Sequence, residues 1–265
     1  MITSASAHAT EGSPESGDAR RPDQILAGYR VIDFTAFMAG PYNTRWLADL
    51  GAEVIKIEPV GGEWMRGYEP ARDGKSMFYG HLNAGKRSVT LNLRDPVGAR
   101  IARDLCLAAD IVVEAFRPGV MNRFGLDAGT LRAIKPELIY CSVSGFGQNT
   151  SIADWPAYAS IVHASSGLES AMARYRGNGD GPPINCGIHF GDMFASLFGA
   201  LSIQVAIVDR ERTGRGSTID INLMDGIMNL LVYEVQDAQC AEQRIPANGR
   251  VLRAKDGHLI VSPHH

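Results

Sequence analysis

The chain has 265 residues, a formal net charge of −3 and 45% apolar residues. This length is enough for one large core, or for one domain with part of another. The weak negative charge favours neither nucleic acid nor an anionic membrane as a partner. The apolar stretch closest to a membrane span, residues 193–208, is short and contains Gln204, which predicts a buried helix in place of a membrane anchor.

The first 24 residues differ in composition from the rest of the chain. They are rich in Ser, Ala, Gly and charge without apolar periodicity, which predicts a disordered tail over residues 1–24 that is neither a signal peptide nor a transit peptide. The cysteines are widely spaced and form no C-x-x-C pair, which predicts reduced thiols in a cytoplasmic protein. They are Cys106, Cys141, Cys186 and Cys240.

From Tyr29 onward, short β-branched runs alternate with helical segments. The predicted strands are residues 31–34, 53–58, 88–93, 110–116 and 138–143, and the helices between them lie near 43–50 and over 96–108. This alternation is typical of a parallel sheet covered by helices. The sequence therefore predicts an α/β fold with a Rossmann-like domain over residues 25–222.

The first strand, helix and second strand, which ends in Glu58, imitate a dinucleotide-binding unit. The turn after the first strand, however, reads TAFMAGP over residues 35–41. A dinucleotide pyrophosphate requires a G-x-G-x-x-G turn there, because only glycine lets the backbone approach closely enough. The missing fingerprint argues against NAD or FAD.

One carboxylate, Asp192, follows Gly191 at the head of the apolar run 193–208. The pattern predicts a buried helix with Asp192 at or near its N-cap. A helix N-terminus favours the ionised carboxylate, and an ionised carboxylate beside apolar residues is a candidate nucleophile. The spacing alone favours a capping role over a catalytic one.

The C-terminal part of the chain begins a new pattern. TGRGS at residues 213–217 predicts a turn at the end of the long helix, and a second apolar helix is predicted from Asp225 to about Val235. KDGHLIVS, residues 255–262, predicts a hairpin or an edge strand that turns at Asp256 and Gly257. Residues 223–265 are therefore assigned to a linker helix and the start of a second, incomplete domain.

Six segments in fixed order carry a family resemblance. They are VIDFTAFMAGP (31–41), LGAEVIKIEP (50–59), NAGKRSVTLNL (83–93), DIVVEAFRPGVMNRFG (110–125), LIYCSVSGFGQ (138–148) and the stretch from GPP (181–183) through GD (191–192) and TGRGS to MDGIMN (224–229). In this order and spacing the chain resembles the class III CoA-transferase family over about residues 25–265. That family includes formyl-CoA and carnitine CoA-transferases and the α-methylacyl-CoA racemases.

The resemblance implies a Rossmann-like domain that binds coenzyme A and a nucleophile at Asp192. In the family mechanism this carboxylate attacks an acyl-CoA thioester and gives a mixed anhydride and CoA thiolate. The thiolate then forms an aspartyl-CoA thioester, and an acceptor acid completes the transfer. The implied substrates are an acyl-CoA and a small carboxylic acid, with no metal and no tightly bound cofactor.

The resemblance also implies a set of CoA contacts. They are Phe37, Met38, Ala39, Leu91, Arg94, Phe116 and Arg123. The two arginines would bind phosphates and Phe116 would lie against adenine. The alternatives from the residues alone are a solvated surface for the arginines and core packing for the aromatic side chains.

Three positions depart from the family pattern. Pro59 and Pro156 stand where some members carry a basic residue, which predicts that the phosphate contacts shift to Arg117 or Lys86. His163 stands where many transferases carry Gln, and it is interpreted as a polar lining or a hydrogen-bonded helix residue in preference to a base.

Three functions remain open from the sequence. The first is CoA transfer through Asp192; the second is a 2-methylacyl-CoA racemase, although AYASIVHA replaces the GHDINY-like segment of racemases. The third is a truncated, non-catalytic CoA-binding remnant or one part of a split enzyme. Family members are longer and form interlocked homodimers, so the 265-residue chain alone is expected to self-associate and to transfer little CoA.

Overall fold

The computed structural model describes residues 24–175, 181–240 and 250–261. The tail predicted for residues 1–24 lies outside the described residues except for Gln24.

The described part of the chain alternates strands and helices, as the sequence predicts. The strands are β1 (Arg30–Phe34), β2 (Glu53–Glu58), β3 (Ala71–Arg72), β4 (Lys75–Ser76), β5 (Arg87–Thr90), β6 (Ile111–Glu114), β7 (Ile139–Ser144), β8 (Thr218–Asn222), β9 (Arg250–Arg253) and β10 (His258–Val261). The helices are α1 (Ala39–Asp49), α2 (Met77–Asn83), α3 (Pro96–Leu107), α4 (Ala128–Ile134), α5 (Ala159–Ser166), α6 (Leu168–Tyr175), α7 (Phe190–Thr213), α8 (Leu223–Met228) and α9 (Val232–Gln239).

The central sheet has six parallel strands in the order β5-β2-β1-β6-β7-β8. Ile32 of β1 pairs with Ile55 of β2 on one side and with Val112 of β6 on the other. The chain therefore adds β2 and β5 on one side of β1, and it adds β7 and β8 on the far side of β6. This is the doubly wound order, and its reversal point between β1 and β6 is where such sheets bind ligands. The predicted Rossmann-like α/β fold is confirmed.

Both faces of the sheet are covered because the central strands bury apolar residues on both sides. On one face, Val31 of β1 packs in a core cluster with Leu47 of α1 and Ile203 of α7. On the other face, Ile32 packs in a second cluster with residues of α3 and α4 that include Leu131. Successive side chains of a strand point to opposite faces, so Val31 and Ile32 belong to different clusters.

The predicted strands agree with the observed ones, and the differences lie at element ends. Helix α1 begins at Ala39, before the predicted start near residue 43, because a proline at position 41 is tolerated in a first helical turn. Gly40 permits this early start: a Cβ there would lie 2.4 Å from the Cβ of Thr35. Strand β5 ends at Thr90, three residues before the predicted end at 93.

The C-terminal elements agree in part with the prediction. The single helix expected from Asp225 to Val235 is two short helices, α8 and α9. The predicted hairpin is confirmed: β9 and β10 pair antiparallel, and the Ala254 N–H donates to the Gly257 carbonyl at the turn. The division into domains at residues 222 and 223 coincides with the junction of β8 and α8 and remains a prediction.

Helix α7 is buried on one side only, whereas the sequence predicts a buried helix. Its exposed side carries four apolar residues at helical spacing: Leu197, Leu201, Val205 and Val208, which are 42 to 61% exposed. By length and composition α7 is the one described helix that meets the criterion for a membrane span. The criterion is weak evidence, because core helices of soluble proteins also meet it, and Ile203 and Ala195 pack in the core.

Candidate functional site

Two cavities adjoin at the carboxyl ends of the strands, where the sheet order reverses. The larger has a volume of about 750 Å³ and lies between the segments that follow β1, β2, β5 and β6. The smaller, of about 180 Å³, lies between the segments that follow β1, β6 and β7. Ala36, Phe37 and Phe116 line both cavities. Ligand sites typically measure about 300 to 1,000 Å³, so the larger cavity is wide enough for a nucleotide.

Phe37 lies where the two cavities meet, in a strained backbone conformation. Its φ of 65° is in the left-handed region, and its side chain is 45% exposed. The backbone N–H of Phe37 donates to Oε1 of Glu63 at 2.8 Å. Its ring lies 6.2 Å from that of Trp64 and 5.8 Å from that of Tyr158, so three aromatic residues meet at this edge of the cavities.

Buried ion pairs support the loop after β1 from below. Lys56 lies 2.8 Å from Oε2 of Glu63 and donates to the carbonyl oxygen of Thr35 at 2.7 Å. Asp33 pairs with Lys86 at 2.9 Å and accepts the N–H of Thr35 at 2.8 Å. Burial by itself raises the pKa of Asp33, but the charges of Lys86 and Lys56 bring it down to about 2.

Glu58, which imitates a ribose-binding acid in the sequence, is occupied by its own surroundings. Its carboxylate accepts hydrogen bonds from Arg66, Tyr79, Ser88 and the backbone N–H of Glu63. Burial raises the pKa of Glu58, but these donors outweigh it and hold the pKa well below 4.5. The carboxylate is therefore a structural acceptor beside the larger cavity.

Asp192 lies in the first turn of α7, two residues after Phe190; His189 is the N-cap. The sequence predicts Asp192 at or near the N-cap. Asp192 does lie in the first turn of the helix, although the N-cap residue is His189. Burial raises the pKa of Asp192 above 3.8, against the opposing effects of His189 and the Ala39 backbone N–H. Burial thus outweighs the helix N-terminus, which alone favours the ionised form.

The surroundings of Asp192 adjoin the smaller cavity. Ala39, whose N–H acts on the Asp192 carboxyl, lines that cavity at the start of α1. Leu223 also lines it, and a Cβ built on Gly191 would lie 3.4 Å from the Cβ of Leu223. Helices α1 and α7 therefore begin side by side, with the carboxyl of Asp192 against the first N–H of α1.

His163 of α5 is fully used by hydrogen bonds, as the sequence interpretation expects. It is 2% exposed, and its Nε2 accepts the backbone N–H of Gly191 at 3.2 Å. Its Nδ1 lies 3.7 Å from Sγ of Cys186. Burial lowers the pKa of His163, so the neutral ring caps a free N–H of α7, which has no side-chain cap of its own at His189.

The structure brings together part of the CoA contact set implied by the resemblance. Phe37, Leu91, Arg94 and Phe116 line the larger cavity, and Ala39 lines the smaller one with Phe37 and Phe116. Met38 precedes α1 as its N-cap, and Arg123 is exposed in a 3₁₀ turn; neither is among the lining residues.

Arg117 and Lys86, the two residues expected to replace the missing basic contacts, differ in exposure and in hydrogen-bond partners. Arg117 is exposed and lines the smaller cavity, where it is free to meet an anion. The side chain of Lys86 is only 2% exposed, and its Nζ donates to Asp33, Asn83 and the Pro41 carbonyl oxygen. The expectation that Lys86 binds a phosphate is therefore wrong, because its ammonium group is buried in an ion pair with the carboxylate of Asp33.

Sequence reasoning missed several residues of the site. Glu63 and Trp64 follow a Gly-Gly pair after β2 and gave no periodic signal. Glu114 was read only as part of a strand, yet it is buried and holds the loop of Phe116. Its isolation in an apolar strand is the signal that could have identified it, because a buried carboxyl requires a hydrogen-bond partner.

Comparison with known proteins gives one consistent result. Residues 26–264 match the description CoA-transferase family III. The chain is 41% identical over 80% of its length to an acetyl-CoA:oxalate CoA-transferase of Acetobacter aceti, and covers 54% of that protein. It is 36% identical over 90% of its length to a succinate–glutarate CoA-transferase of Agrobacterium fabrum, and covers 59% of that protein.

A solved structure shows the same fold. The chain matches a CAIB/BAIF family protein from Brucella suis with a TM-score of 0.80 and 32% identity, over 91% of this chain and 66% of that one. The chain thus spans somewhat more than half the length of the curated relatives it matches.

Proposed function

The chain belongs to CoA-transferase family III, and on that premise we propose that it supplies the CoA-binding and nucleophile-bearing part of an acyl-CoA:carboxylate CoA-transferase. The nucleotide end of CoA occupies the larger cavity, and its thioester end reaches Asp192 through the smaller one. The observation that carries the proposal is the position of Asp192, half-buried against Ala39 beside a cavity at the reversal point of the sheet.

The chemistry proposed for Asp192 is nucleophilic catalysis. A carboxylate oxygen attacks the thioester carbonyl, the C–S bond breaks, and CoA leaves as a thiolate while an acyl-aspartyl anhydride forms. The thiolate attacks the aspartyl carbonyl and releases the donor acid as a carboxylate. The acceptor carboxylate then attacks the aspartyl-CoA thioester, the C–S bond breaks, and a second anhydride forms while CoA leaves as a thiolate. This thiolate attacks the acceptor's carbonyl carbon in the anhydride, gives the new acyl-CoA and frees Asp192 as a carboxylate. Atoms and charge balance without an oxidant or a metal.

The site has features that suit this sequence of steps. Anhydrides and aspartyl-CoA thioesters hydrolyse easily, so the carboxyl must be shielded from water, and Asp192 is half-buried in the first turn of α7. The N-termini of α1 and α7 lie side by side here, and the positive ends of their helix dipoles favour the negative charge that develops on the attacked carbonyl oxygen. Arg94 in the larger cavity and Arg117 in the smaller one provide positive charge for the CoA phosphates.

Covalent trapping tests the proposal. The chain is incubated with a panel of acyl-CoAs, treated with hydroxylamine and digested, and the peptide that contains Asp192 is examined by mass spectrometry. The expected result is a hydroxamate at Asp192, absent from Asp192→Asn. The matched control is Asp209→Asn, an exposed aspartate of the same helix, which should trap normally. Binding of CoA without any adduct in the wild type would instead favour a CoA-binding remnant.

A further inference from the structure

Phe37 and Phe116 form the boundary between the two cavities. Each follows a strand on one side of the reversal point, Phe37 after β1 and Phe116 after β6, and each lines both cavities. A ligand that occupies both spaces must therefore pass these two aromatic residues. The positions of their backbones set the width of that passage.

The backbone of Phe37 is held by a buried carboxylate. The N–H of Phe37 donates to Oε1 of Glu63 at 2.8 Å, and the other oxygen of Glu63 lies 2.8 Å from Nζ of Lys56. Lys56 and Glu63 are 1% and 7% exposed. A non-glycine residue at φ 65° is strained and persists only where its surroundings hold it. Glu63 provides that hold from outside the loop.

The backbone of Phe116 is held in the same way. Its N–H donates to Oε2 of Glu114 at 2.9 Å, and Glu114 is 4% exposed. Burial raises the pKa of Glu114 to about 7, with the Ser142 hydroxyl and the Phe116 N–H opposing the shift and the charge of Asp220 adding to it. None of these groups is a cation, so Glu114, in contrast to Glu63, has no charge partner among the residues that the structure describes.

A buried carboxyl destabilises the fold unless its oxygens accept hydrogen bonds. One oxygen of Glu63 and one of Glu114 each accept a loop N–H at the boundary between the cavities. We infer that Glu63 and Glu114 are positioning residues that fix Phe37 and Phe116 as the two walls of a passage, so that the nucleotide end and the thioester end of one CoA molecule are held at once. The inference rests on the proposed function, because it requires a CoA thioester that spans both cavities.

Variants of Glu114 separate a positioning role from a merely structural one. Glu114→Ala removes the acceptor of the Phe116 N–H, whereas Glu114→Gln keeps an amide oxygen there. Asp127→Ala is the matched control: Asp127 also accepts a backbone N–H, that of Thr130 at 3.0 Å, but lies at the start of α4 outside both cavities. Lys56→Met with Glu63→Leu removes the other anchor without leaving one buried charge alone.

Two measurements are made on each variant. Hydrogen–deuterium exchange reports the protection of the Phe116 amide, and calorimetry reports the binding of CoA and of adenosine 3′,5′-bisphosphate, which lacks the pantetheine arm. Glu114→Ala is expected to exchange the Phe116 amide faster and to bind CoA about tenfold more weakly, with a smaller loss for the bisphosphate. Glu114→Gln should restore CoA binding, and Asp127→Ala should leave it unchanged. The Lys56–Glu63 double variant should also bind CoA more weakly.

The possible failures are distinguishable. Unchanged CoA binding in Glu114→Ala, or an equal loss in Asp127→Ala, overturns the positioning role while the proposed function stands. Unchanged exchange of the Phe116 amide overturns the anchor itself. A wild-type chain that binds no CoA contradicts the proposed function, and the passage then has no ligand.

Discussion

At the scale of single residues, the site depends on which side chains have polar atoms that are not already held by several hydrogen bonds. Within the described part of the chain, the Asp192 carboxyl is influenced by His189 and by the backbone N–H groups of Ala39 and Asp192 itself, while Glu58 and Lys86 are bound by several side chains. Residues that look alike in the sequence therefore differ in what they can do. A carboxyl whose pKa is raised by burial and that has few hydrogen-bond donors is suited to chemistry, and one with many donors is suited to structure.

The ionisation of Asp192 predicts the pH dependence of adduct formation. Only the carboxylate is a nucleophile, and burial raises its pKa above 3.8, so the rate should fall as the pH drops through this raised value. Initial rates of adduct formation between pH 4 and 8 measure it, at saturating acyl-CoA. A rate that stays constant down to pH 4 would contradict the assignment of Asp192 as nucleophile.

His163 predicts the absence of proton exchange at the α-carbon of a substrate. Its Nε2 accepts the Gly191 N–H and its Nδ1 faces Cys186, so neither ring nitrogen is left to act as a base. Incubation of a 2-methylacyl-CoA in D₂O should therefore leave the α-position undeuterated. Deuterium uptake as fast as turnover would support the racemase alternative and would require His163 to reorient.

At the scale of elements, the loops after β1 and β6 determine the shape of the site. They lie on either side of the reversal point, and each is tied to a buried carboxyl. The same order of strands brings the segment after β5, with Leu91 and Arg94, to the larger cavity. Parallel strands place all these loops at one edge, which is why residues far apart in sequence share a cavity.

Arg94 is predicted to contribute more to CoA binding than Arg123. Arg94 lines the larger cavity, whereas Arg123 lies in an exposed turn and lines neither cavity. Arg94→Ala should weaken CoA binding by about tenfold at low salt and less at high salt, because screening weakens exposed charge pairs. Calorimetry with CoA at two ionic strengths measures this, with Arg123→Ala as the matched control. Equal losses in both variants would restore the sequence-based expectation that both bind phosphate.

Glu114 predicts a pH dependence of stability. The pKa of Glu114 in the folded chain is about 7, above the ordinary 4.5. The contribution of protonated Glu114 to the free energy of unfolding is therefore fully present below pH 4.5 and is lost as the pH rises through 7. The loss amounts to about 3 kcal/mol at most. Glu114→Gln removes the titration, so the wild type should lose stability relative to this variant between pH 5 and pH 8. Urea unfolding at both pH values tests it; a constant difference would mean that Glu114 is not buried uncharged.

At the scale of the whole molecule, the chain leaves an apolar stripe on α7 exposed. The helix predicted from Asp225 to Val235 leaves little of its apolar surface uncovered: Leu230 is exposed, but Ile227 and Leu231 are buried in the core and Val235 packs against it. A row of exposed apolar residues at helical spacing lies on α7 and consists of Leu197, Leu201, Val205 and Val208. Contiguous exposed apolar patches usually mark an interaction surface.

We therefore predict that the 265-residue chain self-associates through the stripe on α7. Leu201→Glu with Val205→Lys should shift it towards the monomer, because charge in the middle of the stripe opposes its burial. Val97→Glu, at an exposed valine of α3 on the other face of the sheet from α7, is the control and should change nothing. Light scattering over a range of concentrations measures the effect. A monomeric wild type would contradict the prediction.

Several features of this protein were determined by local sequence. The β-branched runs predicted β1, β2, β6 and β7, because strands buried on both faces are mostly apolar. The turn residues Asp256 and Gly257 predicted the last hairpin, and the Gly191–Asp192 pair before an apolar run predicted the start of α7 to within a turn. These signals lie within one element, so no knowledge of its neighbours was needed.

The features that the sequence did not predict depend on contacts between residues that are far apart in the chain. Lys86 was a candidate phosphate ligand until its pairing with Asp33, 53 positions away, showed its charge to be spent. Glu63 and Glu114 gave no motif, since their role depends on which N–H of a loop each reaches. Only the strand order decides that the segments after β1 and β6 are neighbours. Composition and periodicity set which residues are buried, but burial and pairing together decide which carboxyl stays reactive and which becomes structural.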